Sequence, residues 1–286
     1  MKTLGIRTLQ LPSGRQIPIL GQGTWRMGEN RLEREAEIAA LRFGLELGVT
    51  LIDTAEMYGE GGAELVIGEA ISGRRDEVFL VSKIYPHHAC REGTAQACER
   101  SLKRLKTDRL DLYLLHWRET IPLNETIEAF QKLKTQGKIL DFGVSNFDLS
   151  DMEDVARVSG GDQVATNQVY YNLEHRGIEF DLMPWCNERG IPLIAYSPLK
   201  SSGDDKHALL RHAALKRIAK AHDATTAQVA LAWLLHKNVV AIPKAVSPEH
   251  VRENRAVADI RLTKKDLAAL NEAFPPPSRK VPLAMR

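Results

Sequence analysis

The feature of this sequence that most constrains its fold is a regular alternation of short apolar runs with longer amphipathic stretches. From Leu20 onward, eight β-branched or leucine-rich runs are each followed by a stretch with helical periodicity. This alternation is typical of parallel strands joined by crossover helices. The predicted strands are Leu20–Gln22, Leu51–Asp53, Val78–Lys83, Leu110–His116, Ile139–Val144, Val164–Asn167, Pro192–Tyr196 and Val239–Ile242.

The predicted helices follow these strands one by one. They are Leu32–Leu47, Ala63–Ile71, Thr94–Leu105, Glu125–Thr135, Leu149–Val158, Glu179–Glu188, Leu209–Lys237, interrupted near Asp223, and Pro248–Val257. A last helix, Lys264–Ala273, ends before a run of three prolines and a short C-terminal tail. Charged residues and prolines interrupt the apolar residues of 1–20, so this segment predicts a β-hairpin that turns at Ser13-Gly14, not a signal peptide.

Eight βα units without a Pro/Gly/Ser-rich linker predict one α/β domain, a (β/α)8 TIM barrel over residues 1–286 with an N-terminal β-hairpin. A doubly wound sheet is the alternative. A dinucleotide-binding domain of that type needs G-x-G-x-x-G after its first strand. Here Gly21-Gln22-Gly23 is followed by Thr24, Trp25 and Arg26, so the fingerprint is absent.

Charge and hydropathy exclude several classes of partner. The chain has 39 Lys and Arg residues against 37 Asp and Glu residues, with the two signs interspersed, which leaves no basic surface for nucleic acid. The longest apolar run near the C-terminus, Val229–Leu235, is far shorter than a membrane span. We therefore expect a small-molecule partner and neither a nucleic acid nor a membrane.

The cysteines and adjacent histidines do not form a metal-binding pattern. Cys90, Cys98 and Cys186 contain no C-x-x-C pair, and their odd number argues against a disulfide framework, so a reducing cytoplasm is expected. His87 and His88 would face different ways on an extended segment. The sequence therefore predicts no metal site.

Polar residues recur where the predicted strands end, and this is where barrel enzymes place their chemistry. The residues are Asp53, Lys83, His116 and Tyr196 at the ends of strands, with Asn146 and Gln168 directly following the fifth and sixth. Each has an ordinary structural interpretation, such as a turn cap, a solvated lysine or a rim histidine. Their repetition on one rim favours a single cleft.

Four of the residues near these ends form a chemically coherent set. The Tyr58 hydroxyl is too weak an acid to donate a proton readily at neutral pH unless a cation stabilises its phenolate, and Lys83 can supply that charge. Asp53 can balance and position the lysine in a poorly solvated cleft. His116 can orient and polarise a carbonyl oxygen. The set delivers a proton to oxygen but contains no hydride source, so a cofactor must supply the electrons.

These residues occur within motifs that resemble the aldo-keto reductases, most closely the bacterial methylglyoxal-reductase-like members. The resemblance covers roughly Ile6–Phe274 and rests on Asp53–Gly59, Lys83, Leu114–Trp117, Gly143–Asn146 and Ile242–Lys244. It implies that Tyr58 is the general acid, that Lys83 and Asp53 tune it, and that His116 orients the carbonyl. It also implies that Trp25 and Trp117 line the substrate pocket beside Tyr58 and His116. The short tail would supply the third wall of this pocket, which should therefore be open and permissive. Isolated tryptophans are about as often core residues.

The resemblance further implies a nicotinamide cofactor bound without a dinucleotide-binding domain of the usual type. The implied cofactor residues are Thr24, Asp53, Ser145, Asn146, Gln168, Tyr196, Ser197, Leu199, Lys244, Ala245, His250, Glu253 and Asn254. Among these, the two amides and Ser145 would hold the nicotinamide carboxamide and Tyr196 would stack on its ring. The segment Tyr196–Leu199 and the following Lys200–Asp204 resemble the loop that covers the pyrophosphate, although a Ser/Gly-rich loop is equally typical of a plain connection.

The adenosine end of the cofactor is predicted at the last strand and helix of the barrel. Ser247 and Pro248 have the pattern of an N-cap and a first helical position, and the free N–H groups of such a helix start favour an anion. Because this end of the cofactor site favours an anion, NADPH is the expected cofactor, with NADH as a weaker alternative. His250 stands where the family often has arginine.

These interpretations predict a cytoplasmic, monomeric reductase that uses NADPH to reduce aldehydes and reactive ketones, including 2-oxoaldehydes such as methylglyoxal. Two other classes remain open. One is a nicotinamide-binding sensor or interaction subunit with incidental turnover, and the other is a Schiff-base aldolase that uses Lys83. An assay without NADPH distinguishes the three.

Overall fold

The computed structural model of the protein describes residues 5–199 and 208–286 and contains a hairpin followed by a closed parallel barrel. The hairpin strands are β1 (Thr8–Gln10) and β2 (Gln16–Pro18). The barrel strands are β3 (Gly21–Gly23), β4 (Leu51–Asp53), β5 (Phe79–Ile84), β6 (Leu110–Leu115), β7 (Ile139–Ser145), β8 (Asn167–Tyr170), β9 (Leu193–Tyr196) and β10 (Val240–Ala241). They lie in sequential order, and a parallel bridge between Leu20 and Ala241 closes the ring. The predicted (β/α)8 barrel and N-terminal hairpin are confirmed.

Helices surround the barrel in the order that the sequence predicts. In the described part of the chain they are α1 (Arg34–Glu46), α2 (Gly62–Ala70), α3 (Arg91–Leu105), α4 (Leu123–Thr135), α5 (Leu149–Arg157), α6 (Leu182–Glu188), α7 (Ala208–Arg211), α8 (Ala213–Ala221), α9 (Thr226–His236), α10 (Pro248–Ala256) and α11 (Lys264–Ala273). None of the helices in residues 5–199 and 208–286 is long and apolar enough to span a membrane. The last helix matches its prediction at both ends.

The predicted helix Leu209–Lys237, interrupted near Asp223, has one further break that was not predicted, so three helices, α7, α8 and α9, occupy this stretch. His212 separates the first two, since its backbone is extended and its ring accepts a hydrogen bond from the Ala214 N–H. The predicted interruption near Asp223 is confirmed: this residue has a left-handed φ of 48°. Thr225 then begins α9 by exchanging side-chain hydrogen bonds with Gln228.

The predicted sixth strand, Val164–Asn167, is displaced in the structure. Residue-to-residue pairing with β7 begins at Asn167, which lies opposite Val144, although the Ala165 N–H already donates to the Phe142 carbonyl at 2.8 Å. The expectation that Gln168 directly follows this strand is therefore wrong. It lies within β8, opposite Ser145 of β7.

The start of the sixth predicted helix, Glu179–Glu188, is also wrong. Gly177–Glu179 form a separate 3₁₀ turn, and Asp181 caps α6 by accepting a hydrogen bond from the Leu182 N–H. Helix α6 therefore begins at Leu182 and not at Glu179. This end of the helix faces the loops at the rim of the barrel.

Alternate residues of the strands form a buried cluster of their own inside the barrel. It consists of Leu11, Ile17, Leu51, Phe79, Val81, Leu112, Leu114, Ala165, Ile194, Val240 and Ile242. Side chains two positions apart on a strand share a face. Asp53, Lys83 and His116 therefore lie on the interior face, one level beyond Leu51, Val81 and Leu114, at the carboxyl end of the barrel.

The hairpin closes the opposite end of the barrel. Leu11 and Ile17 belong to the interior cluster. The Arg15 guanidinium contacts Asp111 at 2.9 Å, and the Ser13 hydroxyl donates to Asp141 at 3.0 Å. Since the amino end of the barrel is filled in this way, the cleft lies at the carboxyl ends of the strands.

Candidate active site

A buried ammonium group lies at the centre of the candidate active site. Lys83 Nζ donates to Asp53 Oδ1 at 2.7 Å, to the Thr54 carbonyl at 2.7 Å and to the Tyr58 hydroxyl at 3.2 Å. The three donor hydrogens of the ammonium therefore match three acceptors. A buried charge is tolerated only when it is paired and hydrogen-bonded, and this arrangement satisfies both conditions.

Three adjacent elements bring these groups together. Asp53 ends β4, Lys83 lies in β5, and Tyr58 begins a 3₁₀ turn that returns toward the barrel axis. This turn needs glycine at Gly59, where φ is +57° and an added Cβ would lie 3.0 Å from the Met27 carbonyl. The segment Asp53–Gly59 therefore places a carboxylate and a phenol beside the ammonium of Lys83.

Burial sets the protonation state of the phenol. It raises the pKa of the Tyr58 hydroxyl well above its usual value near 10, and the Asp53 carboxylate adds to this rise. Burial lowers the pKa of the Lys83 ammonium, which the Asp53 carboxylate opposes. At neutral pH the phenol therefore holds a proton, and a cation lies beside the phenolate that would remain after its transfer.

His116 lies on the other side of the phenol. Its ring centroid is 5.9 Å from that of Tyr58, and burial, reinforced by Lys83, lowers its pKa well below 6.5. The imidazole is therefore neutral at pH 7 and carries one N–H. Its Nδ1 is buried and has no hydrogen-bond partner in residues 5–199 and 208–286.

A network of amide and hydroxyl groups links His116 to the predicted nicotinamide residues. The Asn146 amide donates to the His116 carbonyl at 3.0 Å and accepts from the Tyr196 hydroxyl at 2.8 Å. The Ser145 hydroxyl donates to the Gln168 carbonyl at 2.9 Å. The structure thus brings these four residues together beside the tetrad of Asp53, Tyr58, Lys83 and His116.

The structure adds a contact that sequence reasoning missed: Gln168 Nε2 donates to Asp53 Oδ2 at 2.7 Å. Both carboxylate oxygens of Asp53 are therefore occupied, one by the lysine and one by the amide. The sequence predicts that Gln168 binds the nicotinamide carboxamide, and nothing in it indicates the contact with Asp53. Tyr170 was also missed; its ring stacks on that of Tyr196, with centroids 5.6 Å apart and planes at 18°.

The two predicted pocket tryptophans are on the rim and not in the core. Trp25 is 45% exposed, and its ring meets Tyr58 edge to face at 5.0 Å. The Trp117 ring lies 4.9 Å from His116 and 6.0 Å from Tyr85, and its indole N–H donates to Glu119. One indole therefore packs on the phenol of the tetrad and the other on its imidazole.

The residues predicted for the adenosine end lie apart from the tetrad, at the loop after β10 and the first turns of α10. Ser247 is the N-cap of α10 and accepts from the His250 N–H, while Pro248 is the first helical residue, as predicted. Burial lowers the pKa of Lys244, which nearby carboxylates led by Glu37 oppose. Ala245, Glu253 and Asn254 are half-buried.

Two further residues predicted to bind the cofactor are Thr24, which follows β3, and Leu199, which lies in the loop after β9. Thr24 is buried, and its hydroxyl donates to the Asp53 carbonyl at 2.9 Å. Leu199 is half-buried and packs against the main core. The predicted pyrophosphate loop from Lys200 to Asp204 lies outside the described residues.

The prediction that His87 and His88 face different ways on an extended segment is wrong. They lie in a 3₁₀ turn, Pro86–His88, and their ring centroids are 4.2 Å apart. The His88 ring contacts Glu56 Oε1 at 3.0 Å, and the same oxygen accepts from the Tyr85 N–H. Glu56, which sequence reasoning did not single out, thus ties this turn to the loop that carries Tyr58.

The rim of this closed parallel barrel brings together a phenol, a buried lysine, a carboxylate and a neutral histidine. These features define the class of carbonyl-reducing barrel enzymes. The profile of the Aldo/keto reductase family matches residues 19–274, and the chain belongs to this family of oxidoreductases. This confirms the resemblance that its motifs indicated.

Particular relatives resemble the chain over nearly its whole length. It is 51% identical to "Methylglyoxal reductase YeaE" of Escherichia coli, covering 98% of this chain and 99% of that protein. It is 34% identical to "Glyoxal reductase" of Bacillus subtilis, covering 91% and 90%. A crystal structure of an aldo/keto reductase from Klebsiella pneumoniae, in complex with NADP and acetate, superimposes with a TM-score of 0.95 at 49% identity and covers 99% of this chain and 100% of that one.

Proposed function

We propose that this chain uses NADPH to reduce aldehydes and reactive ketones to alcohols, with 2-oxoaldehydes such as methylglyoxal among its substrates and NADH as a weaker cofactor. The observation that carries the proposal is the buried contact of Lys83 with both Asp53 and Tyr58. The names of the Escherichia coli and Bacillus subtilis relatives support the substrate class, and the NADP-bound neighbour supports the cofactor.

The donor set of the rim fits a nicotinamide dinucleotide phosphate. Ser145, Asn146 and Gln168 offer the donors and acceptors that a carboxamide requires, and Tyr196 offers a ring face. Lys244 and the free N–H groups at the start of α10 suit the adenosine phosphate, because a helix start and a cation both favour an anion. When bound, the cofactor supplies the hydride.

The chain itself delivers the proton. The His116 N–H would hold the substrate carbonyl oxygen beside the Tyr58 hydroxyl, and polarise it. As negative charge develops on that oxygen, the phenol transfers its proton. Lys83 then stabilises the phenolate, while Asp53, held by both Lys83 and Gln168, keeps the ammonium in place. Trp25 and Trp117 would orient the substrate over this oxygen site.

Two observations disfavour the other functional classes. A Schiff-base aldolase needs a free amine, whereas Lys83 Nζ makes three hydrogen bonds and is buried. A sensor subunit would not need the complete proton-delivery set. The proposal is tested by NADPH consumption with methylglyoxal, aryl aldehydes and bulky ketones. Turnover without NADPH, or trapping of substrate on Lys83 by borohydride, would overturn it.

We also propose that residues 1–286 form one domain, which functions as a monomer in the cytoplasm. The barrel uses strands from Gly21 to Ala241 in a single closed ring, with the hairpin filling one end. Cys90, Cys98 and Cys186 are all free thiols, which suits a reducing compartment. Gel filtration coupled to light scattering would test the oligomeric state.

Replacing Trp117 with alanine is expected to alter relative rates among aldehydes more than it alters NADPH affinity. The indole packs beside His116, where the substrate would lie, so its loss enlarges the cleft. The measurement is kcat/KM for a panel of small and bulky carbonyl compounds, together with the NADPH dissociation constant. Trp185→Ala, on the outer helix α6, is the matched control. An equal loss for all substrates together with lost cofactor binding would make Trp117 a structural residue.

Replacing His250 with arginine is expected to tighten NADPH binding by up to about fivefold, the upper end for an ion pair at a solvent-exposed position. NADH binding should change little, because NADH lacks the phosphate that the new charge would meet. Titration of both cofactors measures the effect, with the exposed His236→Arg on α9 as control. Equal tightening of NADPH and NADH would remove His250 from the phosphate site.

A further inference from the structure

The tail crosses the rim of the barrel next to the loop that follows β8. Lys280 Nζ contacts Asp181 at 3.2 Å, and Leu283 packs against the main core. Val281 lies so close to Gly177 that an added Cβ there would be 2.6 Å from a Val281 methyl group. Residues 280–283 are therefore held in a defined position by an ion pair, an apolar contact and the close approach of the Val281 side chain to the Gly177 backbone. We call this segment the strap.

Beyond the strap, the chain reaches the residues that follow β9. Arg286 Nη1 donates to the Ser197 hydroxyl at 3.3 Å, and the Arg286 backbone hydrogen-bonds to the Tyr196 hydroxyl. Tyr196 is the ring that we assign to the nicotinamide, and its hydroxyl also contacts Asn146. The guanidinium of Arg286 therefore lies at one proposed cofactor residue, Ser197, and its backbone lies at a second, Tyr196.

The order of the strands determines which part of a dinucleotide would pass this position. β9 lies between β8, which carries Gln168, and β10, which is followed by Lys244. The proposed nicotinamide residues and the proposed adenosine phosphate residues thus lie on either side of the loop after β9. A pyrophosphate joins these two halves of the cofactor, so it must cross near Ser197.

We propose that Arg286, positioned by the strap, is a cofactor-binding residue whose guanidinium contacts the pyrophosphate of NADPH. The inference rests on the proposed function and adds a residue to the same site. A guanidinium suits this position because its planar set of donors matches phosphate oxygens and its charge is permanent. The strap ties the guanidinium to the barrel, which reduces the conformational entropy that binding must overcome.

The test compares Arg286→Met with Arg279→Met, which removes the same charge from an exposed position of the same tail. The dissociation constants of NADP+ and 2′-AMP are measured for wild type and both variants by quenching of tryptophan fluorescence, without turnover. We expect Arg286→Met to weaken NADP+ binding by about tenfold, the size of a charge-assisted hydrogen bond at a partly solvated site. Binding of 2′-AMP, which has no pyrophosphate, should not change.

Three further measurements separate this role from a structural one. Arg286→Lys should recover a large part of the NADP+ affinity, since it keeps the charge. The difference between Arg286→Met and wild type should shrink as salt is raised, because an exposed ionic contact is screened. Unchanged thermal unfolding would show that the barrel is intact.

Specific results would overturn the inference. Equal NADP+ affinities for wild type and Arg286→Met would remove the guanidinium from the site. Tighter binding by Arg286→Met would mean that Arg286 competes with the cofactor. Weaker binding of 2′-AMP and NADP+ by the same factor would place the effect at the adenosine end. Absence of NADP+ binding by the wild type would instead refute the proposed function.

Discussion

Replacing Tyr58 with phenylalanine is expected to reduce the rate of carbonyl reduction at least about a hundredfold, the lower end of general-acid contributions. The phenol ring lies 5.9 Å from that of His116, and its raised pKa keeps it protonated at neutral pH. The ring remains, so NADPH binding should survive. Single-turnover rates with methylglyoxal and a fluorescence titration of NADPH measure the two quantities separately.

Tyr113→Phe is a matched control for this variant. Tyr113 is also fully buried, and its hydroxyl has no hydrogen-bond partner among the described residues, but it lies in β6 and faces the outer core. Its replacement should leave the reduction rate unchanged. Near wild-type turnover by Tyr58→Phe would refute the assignment of Tyr58 as the acid. An equal loss in both variants would attribute the effect to folding.

Replacing Lys83 with methionine is expected to reduce carbonyl reduction by a similar factor of about a hundred or more, because the developing phenolate loses its cation. The same change leaves Asp53 as a buried charge that retains only its Gln168 contact. Breaking a buried ion pair on one side costs about 3–5 kcal/mol of folding stability. Reduction rates and thermal unfolding of the variant therefore measure two expected losses.

Two further variants separate catalysis from stability. Lys134→Met removes a lysine that contacts the buried Asp141 at 3.4 Å near the amino end of the barrel, and its effect should be confined to stability. The double variant Asp53→Asn/Lys83→Met removes both buried charges, and we expect it to recover stability without activity. Recovery of both would mean that Lys83 serves the fold alone.

Much of the fold followed from local patterns. The bounds of β4 and α11 agree with the prediction, because an apolar run before Asp53 and a capping pair at Thr263 and Asp266 are local signals. The predicted bounds are wrong where contacts with neighbouring groups determine where a strand or helix begins. The start of β8 depends on the pairing of Asn167 with β7 and β9, and the separation of α7 from α8 depends on a ring that caps a backbone N–H.

The candidate site was predictable to the extent that its residues lie at strand ends. Asp53, Lys83 and His116 share an inward face with an apolar residue two positions earlier, so alternation along each strand places them on one rim. Tyr58 was predicted from the chemistry of a phenol beside a lysine and from the motif Asp53–Gly59. These relations need only the order of residues in the chain and the rule that parallel strands end on one side.

The sequence by itself therefore determined the barrel, the side on which its cleft opens and the members of the tetrad, because each depends on spacing within one βα unit. Only the tertiary structure decided that Gln168 holds Asp53 across 115 positions and that Arg286 reaches Ser197 across 89. No local pattern encodes such pairs. They arise because closing the barrel and docking the strap bring distant segments within hydrogen-bonding distance.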